Sequence, residues 1–167
     1  GKRVAIVTNA GGPGILCTDA VERLGLELAE LTPGTVEKLK SRLSPAANFN
    51  NPVDVLGDAK AAVYDFAIGT LLDDPNVDGI ITIVTPQTST EIPETAEAIV
   101  KLDEGTHKPI LACFMGGTLQ QKGIDILMNN EVPNYPFPER AVAAFKAMYD
   151  YAAWRDMPIE VPTVFPA

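Results

Sequence analysis

Short runs of β-branched residues alternate with longer stretches of helical periodicity along most of the chain. Such runs fall at residues 3–8, 26–29, 77–84 and 109–114, and a minimal edge strand is predicted near residues 134–136. The third run is almost continuously apolar, as expected for a central strand that is covered on both faces. This alternation is typical of a parallel sheet with helices on both faces. With five strands at this spacing, we predict a doubly wound α/β fold with strand order 2-1-3-4-5.

Helices are predicted between these strands. Thr32 is a favourable N-cap, and Pro33 suits the first position of the helix that follows. Residues 44–58 contain two prolines, three asparagines and a glycine, which predicts a loop that is longer than most in compact domains. Apolar spacing and capping signals place helices at residues 14–24, 33–43, 59–72, 91–104, 119–128 and 139–154.

Length and charge exclude several functional classes. A chain of 167 residues that is 46% hydrophobic is expected to form one domain with a core. Thirteen Lys and Arg against 22 Asp and Glu give a net charge of -9, which disfavours nucleic acid and anionic membrane surfaces as partners. No apolar run approaches the roughly 20 residues of a spanning helix, and the short apolar start does not match a signal peptide. We therefore expect a soluble, cytoplasmic protein.

Prolines are frequent at the end of the chain, at Pro158, Pro162 and Pro166. Their spacing predicts an extended linker or tail over residues 157–167 rather than part of the core. The folded domain is then expected to cover residues 1–156.

Three predicted loops follow strands at the edge of the sheet where ligands gather in this class of fold. The first loop is residues 9–14 (NAGGPG), the second is residues 85–90 (TPQTST), and the third is residues 115–118 (MGGT). None of the three loops contains Lys or Arg, so a free nucleotide would have no positively charged side chain to bind its phosphates. Backbone amides at the start of a helix suit instead an anion that another part of a protein delivers. The predicted binding residues are Asn9, Gly11, Gly12, Gly14, Thr85, Gln87, Gly116 and Gly117.

Each glycine segment also has a purely structural interpretation, because turns from strand to helix are tight in any α/β fold. The first loop matches neither the dinucleotide-binding fingerprint nor the P-loop motif. Pro13 interrupts the fingerprint, and the lysine that the P-loop motif requires is absent from this loop. The glycines therefore leave both interpretations open when each loop is considered alone.

Residues with reactive side chains give little support for chemistry within this chain. His107, the only histidine, lies in a polar turn before a strand, at the end opposite the three loops. Cys17 falls in the first turn of a predicted helix, where the dipole would lower its pKa, although ordinary packing is favoured. Neither Cys17 nor Cys113 has neighbours at metal-ligand spacing, and Asp19 and Asp54 form no carboxylate pair. No catalytic residue and no metal site are predicted.

Several segments together resemble one known family. These segments are residues 3–14, 51–55 (NPVDV), 72–78 (LDDPNVD), 108–112 (KPILA), 114–117 (FMGG) and 137–141 (FPERA). In this order, and over about residues 2–150, the chain is similar to ADP-forming acetyl-CoA synthetases, which belong to the acyl-CoA synthetase superfamily that includes succinyl-CoA synthetase.

The resemblance implies a flavodoxin-like domain, the second of its kind in the alpha-type chain of an acid–CoA ligase that forms a nucleoside triphosphate. The family's Ser-Ser-His-Thr-Gly phosphohistidine segment is absent from this sequence, and His107 does not match it. The resemblance therefore implies that another domain supplies the phosphohistidine, whose phosphoryl oxygens the amides of Gly11, Gly12, Gly14, Gly116 and Gly117 would face.

For the parent enzyme, the resemblance implies ATP or ADP, CoA and Mg²⁺ as ligands, none of them bound by this domain alone. The implied partners are CoA-binding, phosphohistidine and ATP-grasp domains, and the fragment by itself is expected to be inactive.

The alternative is a non-catalytic flavodoxin-like module that binds an anion or regulates a partner. A flavin-binding version would need aromatic side chains beside the loops, and only Phe114 lies near them in sequence.

Overall fold

The computed structural model describes residues 1–158. Of the predicted linker, only Met157 and Pro158 are among them, so that prediction falls almost entirely outside the described residues. The strands are β1 Arg3–Thr8, β2 Glu27–Leu28, β3 Val53–Asp54, β4 Gly79–Val84 and β5 Ile110–Phe114. The helices are α1 Gly11–Arg23, α2 Pro33–Lys40, α3 Ala61–Leu72, α4 Ile92–Glu104, α5 Gln121–Asn129 and α6 Pro138–Arg155, with a short 3₁₀ helix at Gly117–Gln120.

The sheet is parallel and has the order β2-β1-β4-β5, with β3 also paired to β1. The strands predicted third and fourth in the chain are β4 and β5, so the predicted doubly wound order is confirmed. The predicted fifth strand is reduced to a parallel bridge between Asn134 and Ala112 on the outer edge of β5.

Two short strands share one edge of β1. Strand β2 pairs with Arg3 and Val4, and β3 pairs with Val7 and Thr8. Strand β3 lies inside the segment predicted to be a loop throughout, and this prediction was wrong at those two residues. A two-residue strand carries too little periodicity for sequence to indicate it, and its pairing depends on the exposed edge of β1.

Alternate residues of the strands belong to two separate apolar cores, one on each face of the sheet. Val4 and Ile6 face α1 and α6, while Ala5 and Val7 face the layer that contains α2, α3, α4 and α5. Every residue of β4 and β5 is buried, which explains their nearly continuous apolar sequences. The helices on the two faces leave the carboxyl ends of the strands as the open end of the sheet.

The helices start within three residues of their predicted positions. Helix α1 begins at Gly11 rather than at Gly14, because Pro13 falls within the first turn, where its missing N–H costs no intrahelical bond. The helix predicted over residues 119–128 begins instead as the 3₁₀ turn from Gly117, followed by α5. Helix α2 has the predicted cap, with the Thr32 side chain accepting a hydrogen bond from the Thr35 N–H, but ends at Lys40.

Across residues 1–158, none of the helices combines the length and the apolar character that crossing a membrane requires.

Candidate functional site

The first, second and third loops lie at the same end of the sheet, since each follows the carboxyl end of a parallel strand. A fourth segment, residues 55–60 after β3, joins them there. The following contacts link the four segments to one another.

Asn9 fastens the first loop to the second. Its side-chain amide donates to the Thr85 carbonyl at 2.9 Å, and its Oδ1 accepts from the Thr85 N–H at 2.8 Å and from the Thr85 hydroxyl at 3.0 Å. Asn9 is buried, and these three hydrogen bonds hold the two loops in register.

Within residues 1–158, two amides at the start of α1 have no hydrogen-bond acceptor. The N–H groups of Gly11 and Gly12 fall in the first turn, where no intrahelical acceptor exists, and the preceding Ala10 has no side chain that could cap them. Pro13 carries no N–H, and the Gly14 N–H donates to the Ala10 carbonyl at 3.2 Å. Gly11 and Gly12 are exposed, so their amides face solvent at the positive end of the helix.

The glycines of the first loop have different roles. A Cβ on the buried Gly14 would lie 3.1 Å from a methyl carbon of Thr8, so this position is needed for close packing. A Cβ on Gly12 would meet nothing within 4 Å. Gly14 is buried and its N–H already donates to the Ala10 carbonyl, unlike the exposed amides of Gly11 and Gly12.

The third loop is shaped by glycine conformations that other residues rarely adopt. Gly116 has φ +135° and Gly117 has φ +59°, and a Cβ on Gly116 would lie 2.6 Å from a ring carbon of Pro86 in the second loop. The buried side-chain amide of Gln120 donates to the carbonyls of Val84 and Met115, at 3.0 and 3.1 Å. These contacts hold the third loop against the second and leave the exposed backbone of Gly116 and Gly117 accessible.

Residues 55–60 complete the site, and the sequence analysis did not include them. Asp54 Oδ1 accepts from the Leu56 N–H at 2.9 Å and supports the unusual φ of +72° at Leu56. The next residue, Gly57, packs against the side chain of Gln87, since a Cβ there would lie 3.6 Å from it. The NPVDV segment followed by Gly57 was the available signal, but only pairing with β1 brings it to this end of the sheet.

The predicted polar side chains of the second loop are occupied within the domain. The Thr85 hydroxyl donates to Asn9 and is 3.4 Å from the amide nitrogen of Gln87. The backbone N–H of Gln87 donates to the Thr90 hydroxyl at 3.0 Å, which closes the turn. These hydrogen bonds hold the second loop in shape, while the side chains of Gln87 and Thr88 are exposed.

Side-chain charges near these amides are mainly negative. Asp54 Oδ2 would lie 3.8 Å from a Cβ placed on Gly11. Lys60 lies outside the three loops, and its ammonium nitrogen is 3.6 Å from one carboxylate oxygen of Glu91. The other carboxylate oxygen of Glu91 accepts a hydrogen bond from the Ala61 N–H at 3.2 Å. Attraction for an anion therefore comes from the amides and the dipole of α1 rather than from a fixed cation.

Cys17 is buried, and its thiol lacks the lowered pKa that the helix dipole alone would produce. Burial raises the pKa of its thiol far above the ordinary value, with smaller contributions from Cys113 and Glu139. Burial likewise raises the pKa of Cys113 to about 12. Both cysteines are unpaired and belong to the core between α1, α6 and the sheet. Desolvation outweighs the dipole at Cys17 because the side chain points into the core.

His107 lies at the opposite end of the sheet, in the exposed turn between α4 and β5, as expected. It borders a cleft of about 800 Å³ that also includes Lys38, Arg42 and Lys101. This cleft shares no residue with the glycine loops. Within residues 1–158, no group of three or more His, Cys, Asp or Glu side chains is placed to hold a metal ion.

Known proteins match most of this chain in sequence and fold. The profile of the Ligase-CoA domain family matches residues 4–157. The chain is 42% identical over 156 residues to the alpha subunit of acetate–CoA ligase [ADP-forming] II of Pyrococcus furiosus, covering 91% of this chain and 34% of that protein. It is 38% identical over 149 residues to acetate–CoA ligase [ADP-forming] I of Archaeoglobus fulgidus, covering 89% and 21%.

Solved structures show the same fold. A Pyrococcus horikoshii OT3 protein superposes with a TM-score of 0.90 at 38% identity, over 94% of this chain and 37% of that one. A dinucleotide forming acetyl-coenzyme A synthetase of Ca. Korarchaeum cryptofilum gives 0.85 at 30% identity, over 93% and 34%. The chain thus spans roughly a third or less of each of these four proteins. The chain belongs to the Ligase-CoA domain family.

Proposed function

We propose that this chain is the part of an acid–CoA ligase that receives a phosphohistidine loop from another domain, in the cradle formed by the amides of Gly11, Gly12, Gly116 and Gly117. The main observation that supports this proposal is that these exposed amides lie at one end of the sheet, with open space beside Gly12 and Gly117. Family membership supports the same role, because the relatives are ADP-forming ligases.

The cradle suits a phosphoryl group that must leave again. Amides at a helix start donate charge-assisted hydrogen bonds to phosphoryl oxygens without supplying a full positive charge. Such donors are rigid here, because Asn9 fixes the first loop to the second and Gln120 fixes the third. Preorganised donors stabilise developing charge without reorganising during the reaction.

In the reaction that we propose for the parent enzyme, acyl-CoA, nucleoside diphosphate and phosphate give the acid, nucleoside triphosphate and CoA. The residues described here do not fit the nucleotide or Mg²⁺, because the loops have no Lys or Arg and no suitable carboxylate cluster. We assign ATP or ADP, CoA and Mg²⁺ to the CoA-binding and ATP-grasp domains, and the histidine to a further domain. The chain alone would then be inactive, with residues 1–156 as the domain and residues 157–167 as a linker, in the cytoplasm.

Gly12→Leu in the full-length enzyme tests this role. The added side chain meets nothing within 4 Å in this domain, so the fold should tolerate it while the side chain occupies the cradle. We expect phosphorylation of the enzyme by labelled ATP to slow by about 100-fold, the scale seen when an oxyanion donor is lost.

Gly34→Leu is the matched control, since Gly34 is also the second residue of a helix, is exposed and has nothing within 4 Å. Helix α2 starts beside Asp74, away from the cradle, because Asp74 accepts from the Thr32 N–H. Unchanged labelling in Gly12→Leu would reject the cradle and favour a non-catalytic binding module.

A further inference from the structure

A cleft of about 800 Å³ opens at the end of the sheet opposite the glycine loops. Its walls are the end of α2 and the residues after it, the second half of α3, the last turn of α4 and the turn that precedes β5. A cleft of this volume can enclose a small organic molecule. The proposed function leaves the cleft unused, so its ligand has to be inferred from its own lining residues.

The lining of the cleft has more positive than negative side chains. It contains the cations Lys38, Arg42, Lys101 and Lys108 and the carboxylates Asp65 and Asp73. The chain as a whole carries a net charge of -9, so the cleft has the opposite sign from the protein around it. This local charge balance favours an anion as the ligand.

Only some of these cations are engaged within the domain. Lys38 pairs with Asp73 at 3.0 Å, and the Lys108 ammonium donates to two backbone carbonyls at the end of α3, both at 2.7 Å. The exposed side chains of Arg42 and Lys101 make no ion pair and no hydrogen bond with any residue from 1 to 158. Arg42 and Lys101 are therefore available to an anion from solution.

Arg42 is restrained by an aromatic ring. Its guanidinium carbon lies 4.5 Å from the centre of the Phe66 ring, a cation–π contact that uses none of the N–H donors. A planar guanidinium binds a carboxylate through two parallel hydrogen bonds. Arg42 thus offers carboxylate donors beside the apolar surface of Phe66.

Thr70 supplies a second, independent observation. It forms part of the cleft wall and is only 2% exposed, yet its hydroxyl has no hydrogen-bond partner within residues 1–158. The hydroxyl of Thr95, a buried threonine in α4, instead donates to the Glu91 carbonyl one turn earlier, at 2.6 Å. A buried hydroxyl without a partner is costly, and a ligand in the cleft can supply the missing acceptor.

We propose that this cleft is a second ligand site, which binds a carboxylic acid with an apolar body. The carboxylate pairs with Arg42, Lys101 adds to the attraction, and the Thr70 hydroxyl donates to an oxygen of the ligand. This site lies at the opposite end of the sheet from the cradle, so the inference does not rest on the proposed function.

A singly charged carboxylate fits the cleft better than a phosphate does. Asp65 and Asp73 also line the cleft, and α2, α3 and α4 end there, so that their negative dipole ends oppose a doubly charged group. The apolar surfaces of Phe66, Leu72 and Leu102 lie in the same walls and suit the body of an organic acid.

The test uses 2-naphthoate as the probe, with the full-length enzyme, and 2-naphthamide as the uncharged control of the same shape. Hydrogen exchange at residues 38–42, 66–73 and 101–108 measures occupancy of the cleft, and its dependence on probe concentration gives a Kd. We expect 2-naphthoate to slow exchange in these segments and 2-naphthamide to leave it unchanged.

Two pairs of variants assign the binding to individual side chains. Arg42→Met should raise the Kd about tenfold, because a hydrogen-bonded charge is lost while an apolar stem remains over Phe66. Lys40→Met is the matched control, since Lys40 pairs with Glu37 and does not line the cleft. The Kd of this control should equal that of the wild type.

Thr70→Val should raise the Kd about fivefold without lowering the melting temperature, because the hydroxyl that it removes has no partner in the domain. Thr95→Val should do the reverse, since its hydroxyl is already bonded and lies outside the cleft. Thermal unfolding of all four variants also confirms that each one folds.

Three results would overturn the proposal. The first is equal protection of the cleft segments by 2-naphthamide, and the second is a wild-type Kd in both folded cleft variants, Arg42→Met and Thr70→Val. The third is a loss of stability in Thr70→Val as large as that in Thr95→Val, because the Thr70 hydroxyl would then have a partner inside the domain.

Discussion

Gly116 and Gly117 are adjacent but are required for different reasons. At Gly116 the backbone has φ +135° and the position of a Cβ is occupied by Pro86, 2.6 Å away. At Gly117 the backbone has φ +59°, and a Cβ would meet nothing within 4 Å. Conformation and space therefore both oppose a side chain at Gly116, while conformation alone opposes one at Gly117.

Alanine substitutions should separate these two causes. We expect Gly116→Ala to lower the free energy of unfolding by about 3 kcal/mol, since it adds a clash with the second loop to the backbone strain. Gly117→Ala should cost only about 1 kcal/mol, the strain alone. Urea unfolding of both variants measures the difference, and equal losses would contradict this account.

The ion pair between Arg3 and Asp78 should make stability depend on acid pH. Hydrogen bonds from Arg3 are the main cause that lowers the pKa of Asp78 from 3.8 to about 2, against the opposing effect of burial. Because the folded pKa lies below the unfolded value, this contribution is full above about pH 4 and is lost as the pH falls toward 2.

Asp78→Asn should therefore reduce the free energy of unfolding by about 1 kcal/mol at pH 7, since solvent around the partly exposed Arg3 screens the pair. The difference from wild type should shrink between pH 4 and pH 2 in denaturant titrations. Asp19→Asn is the control, because the exposed Asp19 makes no hydrogen bond to any residue from 1 to 158. A pH-independent difference would contradict the mechanism.

Among the secondary-structure elements, strand β1 forms hydrogen bonds with three different partners along one of its edges. Strand β2 pairs with its start and β3 with its end. Between them, the Asn51 side chain accepts from the Ile6 N–H at 2.9 Å and donates to the Val4 carbonyl at 2.7 Å. The Asn51 amide thus replaces strand pairing where neither short strand reaches. This edge indirectly positions the site, because the first loop follows β1.

Asn51→Ala should lower the free energy of unfolding by about 2 kcal/mol, since it leaves the N–H of the buried Ile6 without a partner and removes one of the two donors to the Val4 carbonyl. The neighbouring Asn50→Ala removes an exposed side chain and should change stability by less than about 0.5 kcal/mol. Chemical denaturation of both variants checks the contrast, and similar values would show that Asn51 is not needed at this edge.

At the scale of the whole molecule, the proposed anion site lies on an acidic chain. The net charge of -9 repels free phosphate, while the dipole of α1 and the glycine amides attract it locally. A phosphoryl group attached to a docked domain avoids much of this repulsion, because contacts elsewhere in the interface hold it in place.

The isolated chain should accordingly bind inorganic phosphate only weakly, with a Kd of about 1 mM or above, because a few amide hydrogen bonds supply little net affinity. Phosphate titration followed by NMR should shift the amides of Gly11, Gly12 and Gly117 while leaving Gly34 unchanged. Micromolar affinity, or equal shifts at Gly34, would contradict a cradle that depends on docking.

Sequence patterns alone determined the alternation of strands and helices, the strand order and the position of the glycine loops. They could do so because burial on both faces makes β4 and β5 apolar throughout, and because parallel strands deliver their following loops to one edge. The family resemblance, read from segments in order, was confirmed by the matched family and its relatives.

Only the tertiary structure decided how individual residues are used. At the predicted site, the side chains of Asn9 and Thr85 hydrogen-bond to each other and link two loops. Gly14 leaves room there for the close approach of Thr8. Residues 55–60 join the site because β3 pairs with β1, a contact between segments more than 40 positions apart. Hydrogen-bond partners and burial depend on such distant neighbours, which local periodicity does not encode.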